Sequence, residues 1–562
     1  MGVRHRGSVN RRSIRFALAS ALLAVVLVGP TALLPSGVTA SAGTNCDWPM
    51  YGRDLGHSFA ARTGCSRLSP LNAPTLAPAW IVPTPEPVTA SPAVVDGTVY
   101  VGDWGGTFYA VPTVAAAGAL TPTPRWTFKV DDTDGVAFGR IVSSAAITDV
   151  GGRRVVVFGG GATVYVLDAE TGSVVATSCL DPRAAPAARC RSSEGQIEIE
   201  SSPAVIAAPD GQSAQILIGL DVHNADNVGR TGLVSLSLTA AGGSYALAPQ
   251  WKFDPEAGVA YTGPDLLTRG SGTGSGCAGV WSSPAVDDAN GLVFFGTSSC
   301  SFDGVTAGES GWAIDLATGA LRWQFLPPRT STRLDDDFGA SPNLLPGGLV
   351  GFGSKDGWYY ALREQPAAGG AAQVAWSSHV GESGHVNVDF AVGGIIGTPA
   401  TGMVDGQPAI FATTGLSTPI ANPLDANPTL DTSLLEDPGR LLSLVAFSAV
   451  DGSILWRSAL PRQSYGAPSF ANGVVLVPST FSFTLDAVRA DDGVPLAVLP
   501  TVGAPSSSPV AQGDSVYIGA GTSESDLEFK AFGGSVFTPI LGSSPLSPLS
   551  GILRFSVLVP GS

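Results

Sequence analysis

The sequence predicts an all-β protein, an eight-bladed β-propeller with four-stranded blades. Glycine and proline are abundant, with 71 and 43 residues among 562, and such a composition suits many short strands joined by tight turns. Beyond the N-terminus, no long stretch has sustained helical periodicity. A four-strand unit also recurs eight times along the chain, which is typical of repeat architectures built from blades.

Gly311–Trp323 shows the repeat most clearly. An alternating segment runs into an Asp-x-x-Thr-Gly turn, and a second short segment ends on Trp323. Alternation predicts a half-buried strand, and a glycine-containing turn between two such segments predicts a hairpin. We expect the tryptophan to end an outer strand and to pack between neighbouring blades. The other tryptophans at this position are Trp126, Trp251, Trp376 and Trp456.

Each unit begins with a segment of small residues, which suits the crowded centre of a ring. The eight segments begin at Ser91, Ser144, Ser202, Ser283, Ser341, Thr398, Ala467 and Ser508. Trp80 lies before the first unit, in Leu76–Val82, and resembles an outer strand without a blade. We therefore predict that this N-terminal strand completes the eighth blade and closes the ring.

The N-terminus has the features of a secretory signal. Several arginines precede the apolar run Phe16–Val28, and small residues follow it. This run is shorter than the roughly 20 residues of a membrane span, so an uncleaved anchor is the alternative. We expect residues 1–42 to be a signal peptide, 43–75 a disulfide-tied cap and 76–562 the propeller. The protein would then be secreted, extracellular or held at the cell envelope.

Six cysteines fit an exported, oxidised protein, although several connectivities are open. They fall into three local couples, which we predict as disulfides: Cys46–Cys65, Cys179–Cys190 and Cys277–Cys300. The net charge of −16 argues against a nucleic-acid partner. Because the chain has no Cys-x-x-Cys-His segment, it carries no covalent c-type haem.

The unit Ile314–Gly319 with Trp323 resembles the blade motif of quinoprotein dehydrogenases, whose eight-bladed propellers bind pyrroloquinoline quinone. Asp47–Ser58 and Thr89–Val111 are similar to polyvinyl-alcohol-dehydrogenase-like secreted proteins. The resemblance extends from Cys46 to the C-terminus. It implies an oxidoreductase that oxidises a small-molecule or polymeric alcohol with this quinone and passes electrons to an external acceptor. The alternative is a non-enzymatic propeller scaffold that binds a protein or polymer at the cell envelope.

The resemblance also implies site residues. Trp281, with Ser283 beside it, would form the floor on which the flat quinone stacks, whereas packing around the channel is the alternative. Lys355 would approach the quinone oxygens, unless it is a solvated turn lysine. Asp335 would be the general base and Asp337 the second acid, unless both belong to an exposed acidic loop. Arg140 could pair with a cofactor carboxylate, although a surface arginine is the alternative.

The implied calcium site departs from the family pattern. Ser299 stands where the family has an asparagine ligand, and Asp226 is a loose match to its glutamate. Calcium prefers six to eight oxygen ligands with prominent carboxylates. The adjacent cysteine pair of some family members is also missing. These departures favour the scaffold, whereas Trp281, Lys355 and Asp335 in register favour the enzyme.

Overall fold

The computed structural model describes residues 46–130, 139–181, 190, 197–222, 231–270, 277–299, 306–328, 336–381, 385–387, 390–391, 394–415, 443–460, 464–521 and 550–557. These residues belong to one compact unit, Asn45–Ser562. The only helices among them are 3-10 turns at Ala73–Thr75, Leu266–Thr268 and Thr480–Ser482. None of the described helices is long and apolar enough to cross a membrane.

The strands form eight antiparallel blades in chain order. The first strand, β1, spans Ala77–Thr84. Blade 1 contains β2 (Ala93–Val95), β3 (Thr98–Gly102), β4 (Thr107–Pro112) and β5 (Trp126–Lys129). Blade 2 contains β6 (Ala146–Val150), β7 (Arg153–Gly160), β8 (Thr163–Asp168) and β9 (Val174–Cys179). Blade 3 contains β10 (Ile197–Glu198), β11 (Ala204–Ala207), β12 (Ser213–Val222), β13 (Gly232–Ala241), β14 (Ser244–Asp254) and β15 (Val259–Thr262).

Blades 4 to 8 follow the same plan. Blade 4 contains β16 (Ala285–Asp287), β17 (Leu292–Gly296), β18 (Gly311–Asp315) and β19 (Leu321–Phe325). Blade 5 contains β20 (Asn343–Leu345), β21 (Leu349–Gly353), β22 (Trp358–Arg363) and β23 (Val374–His379), and the hairpin β24 (His385–Asn387) and β25 (Phe390–Ala391) follows it. Blade 6 contains β26 (Ala400–Val404), β27 (Gln407–Thr413), β28 (Leu444–Ser448) and β29 (Ile454–Ser458). Blade 7 contains β30 (Ser469–Ala471), β31 (Val474–Ser479), β32 (Thr484–Arg489) and β33 (Pro495–Pro500). Blade 8 contains β34 (Val510–Gln512), β35 (Ser515–Ala520) and β36 (Ser550–Ser556).

The N-terminal strand closes the ring. Strand β1 pairs antiparallel with β36, so blade 8 has the order β1-β36-β35-β34 and contains both ends of the propeller. The prediction of an eight-bladed all-β propeller closed by an N-terminal strand is confirmed. Blade 3 differs from the others because β10 and β15 extend its sheet to six strands.

Hydroxyl groups at the start of the inner strands link successive blades. The backbone N–H of the first residue of one unit donates a hydrogen bond to the side-chain oxygen of the Ser or Thr that begins the next unit, at 2.8–3.0 Å. The series is Ser508, Ser91, Ser144, Ser202, Ser283, Ser341 and Thr398. We call it the hydroxyl ring. Ala467 interrupts it in blade 7, because its side chain has no hydroxyl. The small first residues of the repeat therefore serve inter-blade hydrogen bonding as well as close approach.

The recurrent tryptophans pack between blades, as predicted. Trp323 donates its indole N–H to the carbonyl of Glu364 in the next blade at 2.8 Å, and Trp126 donates likewise to Ala169 at 3.0 Å. A glycine from the next Asp-x-x-Thr-Gly turn packs on the ring. At Gly319 (φ 71°), an added Cβ would lie 2.8 Å from the Trp251 ring. Glycine is therefore required there both by conformation and by contact.

Residues 46–75 run along the C-terminal ends of the inner strands, beyond the hydroxyl ring. Ile147 in blade 2, Leu344 in blade 5 and Phe470 in blade 7 each donate a backbone N–H to this segment. Those residues follow the hydroxyl ring along their inner strands. The Cys46–Cys65 disulfide ties the segment, and Cys179–Cys190 closes the loop after β9, so both of these predicted pairings are confirmed. Cys300 lies outside the described residues, so its pairing with the buried Cys277 stays a prediction.

Candidate functional site

Three predicted site residues meet at one end of blades 4 and 5. Trp281 precedes the inner strand β16, Asp337 precedes the inner strand β20, and Lys355 lies in the turn between β21 and β22. In an antiparallel blade, the start of the first strand and the turn between the second and third strands lie at the same end. The residues therefore converge on the side of the hydroxyl ring opposite to residues 46–75.

Asp337 holds the other two side chains. Its Oδ2 accepts a hydrogen bond from Trp281 Nε1 at 3.1 Å, and its Oδ1 lies 3.4 Å from Lys355 Nζ. The ammonium of Lys355 is also 5.5 Å from the centroid of the Trp281 ring, within cation–π range. The Asp337 side chain is 3% exposed and that of Lys355 is 13% exposed. A half-buried indole face thus adjoins a lysine ammonium whose position a buried carboxylate fixes.

Backbone contacts lock this arrangement. The Lys355 N–H donates to the Asp337 carbonyl at 3.0 Å, which joins the turn of blade 5 to the segment before its inner strand. An added Cβ at Gly339 would lie 2.2 Å from the Trp281 ring, so the indole lies directly on the Gly339 backbone. An added Cβ at Gly394 would lie 2.1 Å from the Lys355 carbonyl oxygen. Glycine at these two positions permits the close packing of adjacent blades.

Additional buried acids surround this cluster, and the sequence patterns missed them. Glu309 is fully buried and accepts the Asp336 N–H on its Oε1 at 3.1 Å. Asp336 is itself 6% exposed. Asp221 is also 6% exposed. Asp221 and Ser298 both lie against Gly279, where an added Cβ would be 1.5 Å from Asp221 Oδ1 and 2.9 Å from Ser298 Oγ. Aligning the units would have found Asp221 and Ser298, because both occupy the position of Lys355 in their own blades.

The structure places the remaining predicted residues differently. Ser283 belongs to the hydroxyl ring, where its Oγ accepts the Ser202 N–H at 2.9 Å. Arg140 contacts the turn of blade 1, with Nη1 3.3 Å from the Gly105 carbonyl, and so belongs to blades 1 and 2 rather than to the Trp281 cluster. Ser299 is half-buried beside Ser298. Asp335 and Asp226 lie outside the described residues, so their roles stay predictions.

The donor set fits a planar, anionic cofactor. Pyrroloquinoline quinone is flat and carries carboxylates, and the cluster offers an aromatic face together with a fixed ammonium group. The described residues include no group of three His, Cys, Asp or Glu side chains arranged for a metal ion. Asp226, one of the two predicted calcium ligands, lies outside the described residues, so calcium binding stays a prediction and we derive no step through a metal.

Comparison with known proteins agrees with this fold. The model of the PQQ family "Glucose/ethanol/alcohol dehydrogenase, beta-propeller domain" matches residues 48–346, which is more than half of the chain. The fold and the cluster define a propeller of the quinoprotein dehydrogenase type. The chain belongs to this beta-propeller family.

Solved structures show the same architecture at low sequence identity. A europium-containing methanol dehydrogenase is 14% identical with a TM-score of 0.64, covering 91% of this chain and 98% of its own. The quinohemoprotein alcohol dehydrogenase from Comamonas testosteroni is 16% identical with a TM-score of 0.60, covering 92% and 81%. The quinohemoprotein alcohol dehydrogenase ADHIIG from Pseudomonas putida HK5 is 15% identical with a TM-score of 0.57, covering 91% and 80%. No curated protein sequence matches the chain.

Proposed function

We propose that the protein is an exported oxidoreductase that oxidises an alcohol with pyrroloquinoline quinone and passes the electrons to an external acceptor. The convergence of Trp281, Asp337 and Lys355 carries this proposal. Family membership supports it, because the matched family is one of glucose, ethanol and alcohol dehydrogenase propellers. The substrate would be a small-molecule or polymeric alcohol.

Each residue of the cluster has a distinct role in the proposal. Trp281 would support the planar cofactor, and Lys355 would place positive charge where negative charge develops on reduction. When bound, the quinone supplies the two-electron acceptor for the alcohol carbon. Asp337 positions both side chains, since its two oxygens already face Trp281 and Lys355. Asp335, two residues earlier, would take the alcohol proton as general base.

Export is part of the same proposal. Residues 1–42 would be removed as a signal peptide, 43–75 would form a cap, and 76–562 would act outside the cell or at its envelope. The two disulfides support an oxidising compartment, because such bonds persist mainly there. Any membrane attachment would come from an uncleaved signal. Calcium, with Asp226 and Ser299 among its ligands, and a cofactor contact by Arg140 remain secondary proposals.

Binding and turnover test the proposal separately. Calorimetry with added pyrroloquinoline quinone, with and without Ca²⁺, measures cofactor affinity, and dye-linked alcohol oxidation measures turnover. We expect Lys355→Met to weaken binding roughly tenfold to a hundredfold, as expected for loss of a charge-assisted contact. Asp335→Asn should bind the quinone normally and lose turnover.

Lys129→Met is the matched control, because Lys129 is an exposed lysine beside the equivalent turn of blade 1. It should bind the cofactor as the wild type does. No binding to the wild type at tens of micromolar quinone would sink the enzyme proposal. That result would favour a scaffold that binds a protein or polymer.

A further inference from the structure

An exposed aromatic surface lies beside the candidate site on blade 5. We call Trp358, Tyr360 and His379 the aromatic platform. Trp358 is 38% exposed and is the only exposed Phe, Tyr or Trp among those whose burial the structure describes, and His379 beside it is exposed as well. Its ring centroid lies 5.0 Å from that of His379 and 6.3 Å from that of Tyr360. An indole on the surface leaves apolar area in water unless a ligand covers it.

The platform is rigid because the blade fixes each ring. Trp358 and His379 are direct partners in the β22–β23 ladder, and Tyr360 follows Trp358 by two residues on the same face. Tyr360 packs edge-on against Phe325 of blade 4, with centroids 5.2 Å apart. The Asp356 carboxylate accepts hydrogen bonds from the backbone N–H of Trp358 at 2.9 Å and from the Tyr360 hydroxyl at 2.8 Å. An ordered acceptor therefore borders an ordered aromatic face.

The same turn carries the platform and the candidate site. Lys355 precedes Trp358 by three residues, and Gly357 (φ 87°) makes the turn between them. Three residues span at most about 10 Å, so one ligand of a few rings could reach from the platform to Lys355. The side chains diverge along this turn, since Lys355 approaches Trp281 whereas Trp358 contacts His379.

We propose that the aromatic platform binds a pyranose ring of a neutral oligosaccharide, at a subsite next to the catalytic cluster. A pyranose has one apolar face of C–H groups that can cover Trp358 and a hydroxyl rim that can donate to Asp356. The net charge of −16 disfavours an anionic polymer. One exposed indole and one exposed imidazole are also far smaller in area than the roughly 800 Å² per partner of a stable protein interface. One part of this proposal rests on the proposed function: a second ring of the oligosaccharide would present its hydroxyl to the candidate site for oxidation.

Binding without cofactor tests the platform independently of catalysis. Calorimetry of the full, cofactor-free chain with linear glucose oligomers of increasing length should show affinity that rises with length. Trp358→Ala should bind about tenfold more weakly, and Trp358→Phe should retain most of the affinity. Leu455→Ala is the matched control, because Leu455 is 42% exposed on the outer strand of blade 6. Its affinity should equal that of the wild type.

Several outcomes would overturn the inference. They are absence of oligomer binding by the wild type, and equal affinity in Trp358→Ala and Leu455→Ala. With quinone bound, Trp358→Ala should raise KM for long oligomers and leave KM for a short alcohol unchanged. A chain that binds oligomers but no quinone would retain the platform and lose the proposed oxidoreductase function, so the two proposals can fail separately.

Discussion

At the scale of single residues, Asp337 explains why the candidate site has its shape. One carboxylate orients an indole N–H and an ammonium group that belong to two adjacent blades. A buried pair of this kind contributes little net stability when complete, but removal of one partner leaves buried polar groups unsatisfied. Asp337 is therefore a positioning residue in our interpretation, and its loss should affect both stability and the site.

We predict that Asp337→Ala lowers the free energy of unfolding by roughly 3 kcal/mol. The half-buried Trp281 would lose its acceptor, and Lys355, whose side chain is 13% exposed, would lose a nearby counter-charge. Chemical denaturation measures the change. Arg322→Met is the control, since the Arg322–Asp315 pair is exposed, and it should stay within about 0.5 kcal/mol. Equal losses in the two variants would contradict the assigned role of Asp337.

The sequence predicted part of this cluster. The resemblance to quinoprotein propellers singled out Trp281 and Lys355, and Asp337 was predicted as a second acid. The approach of Gly339 to Trp281 was not predicted, because Trp281 precedes an inner strand and is not one of the recurrent tryptophans for which the repeat predicts a contact with the next blade. Glu309 was also missed, since the turn between β17 and β18 is longer than the equivalent turn between β21 and β22, and Glu309 has no counterpart in that shorter turn.

At the scale of elements, the hydroxyl ring assigns a structural function to residues that look functional in the sequence. Ser283 was predicted to bind cofactor because it follows Trp281, yet its hydroxyl accepts a backbone N–H from blade 3. The Ser-Pro-Ala pattern predicted the inner strands correctly. It did not predict the hydrogen bonds, because those depend on the axial alignment of neighbouring blades.

Ser283→Ala should lower the free energy of unfolding by about 1–3 kcal/mol, because the Ser202 N–H would be buried without its acceptor. Ser508→Ala is a matched control from the same ring. The Ser508 hydroxyl oxygen is buried and has no hydrogen-bond partner among the described residues, so its loss should change stability by less than about 0.5 kcal/mol. Thermal and chemical unfolding measure both variants.

Cofactor binding separates the two interpretations of Ser283. If its role is structural, Ser283→Ala should bind pyrroloquinoline quinone as tightly as the wild type. A selective loss of affinity with unchanged stability would instead support the cofactor contact that the resemblance implies.

At the scale of the whole molecule, two segments from the N-terminal part of the chain complete the ring. Strand β1 joins blade 8, and residues 46–75 contact the inner strands of blades on opposite sides of the channel. Among the described residues, eight apolar clusters fill the eight interfaces between blades, and a ninth surrounds Phe59 of the N-terminal segment. The repeat count and the closing strand could be predicted from periodicity. The path of residues 46–75 could not, because this segment has no repeat of its own.

His57 makes the stability of this closure depend on pH. It is 3% exposed and donates its Nδ1–H to the Pro342 carbonyl at 2.9 Å. Burial lowers the pKa of His57 from 6.5 to about 4, although the hydrogen bond to Pro342 and the nearby Asp54 act in the opposite direction. Between pH 6.5 and about pH 4, His57 is therefore mostly protonated in the unfolded chain and mostly neutral in the folded chain.

We predict that this histidine removes roughly 3 kcal/mol of stability as the pH falls from 6.5 to 4, at about 1.4 kcal/mol for each pH unit. His57→Asn is the informative variant. Asparagine can donate a similar hydrogen bond and tolerates the left-handed backbone at this position (φ 54°), but it does not titrate. Urea unfolding across this pH range should give a shallower slope for the variant. If the free energy of unfolding has the same pH dependence in the two proteins, His57 is not the group responsible, and acid destabilises the closed ring through other groups.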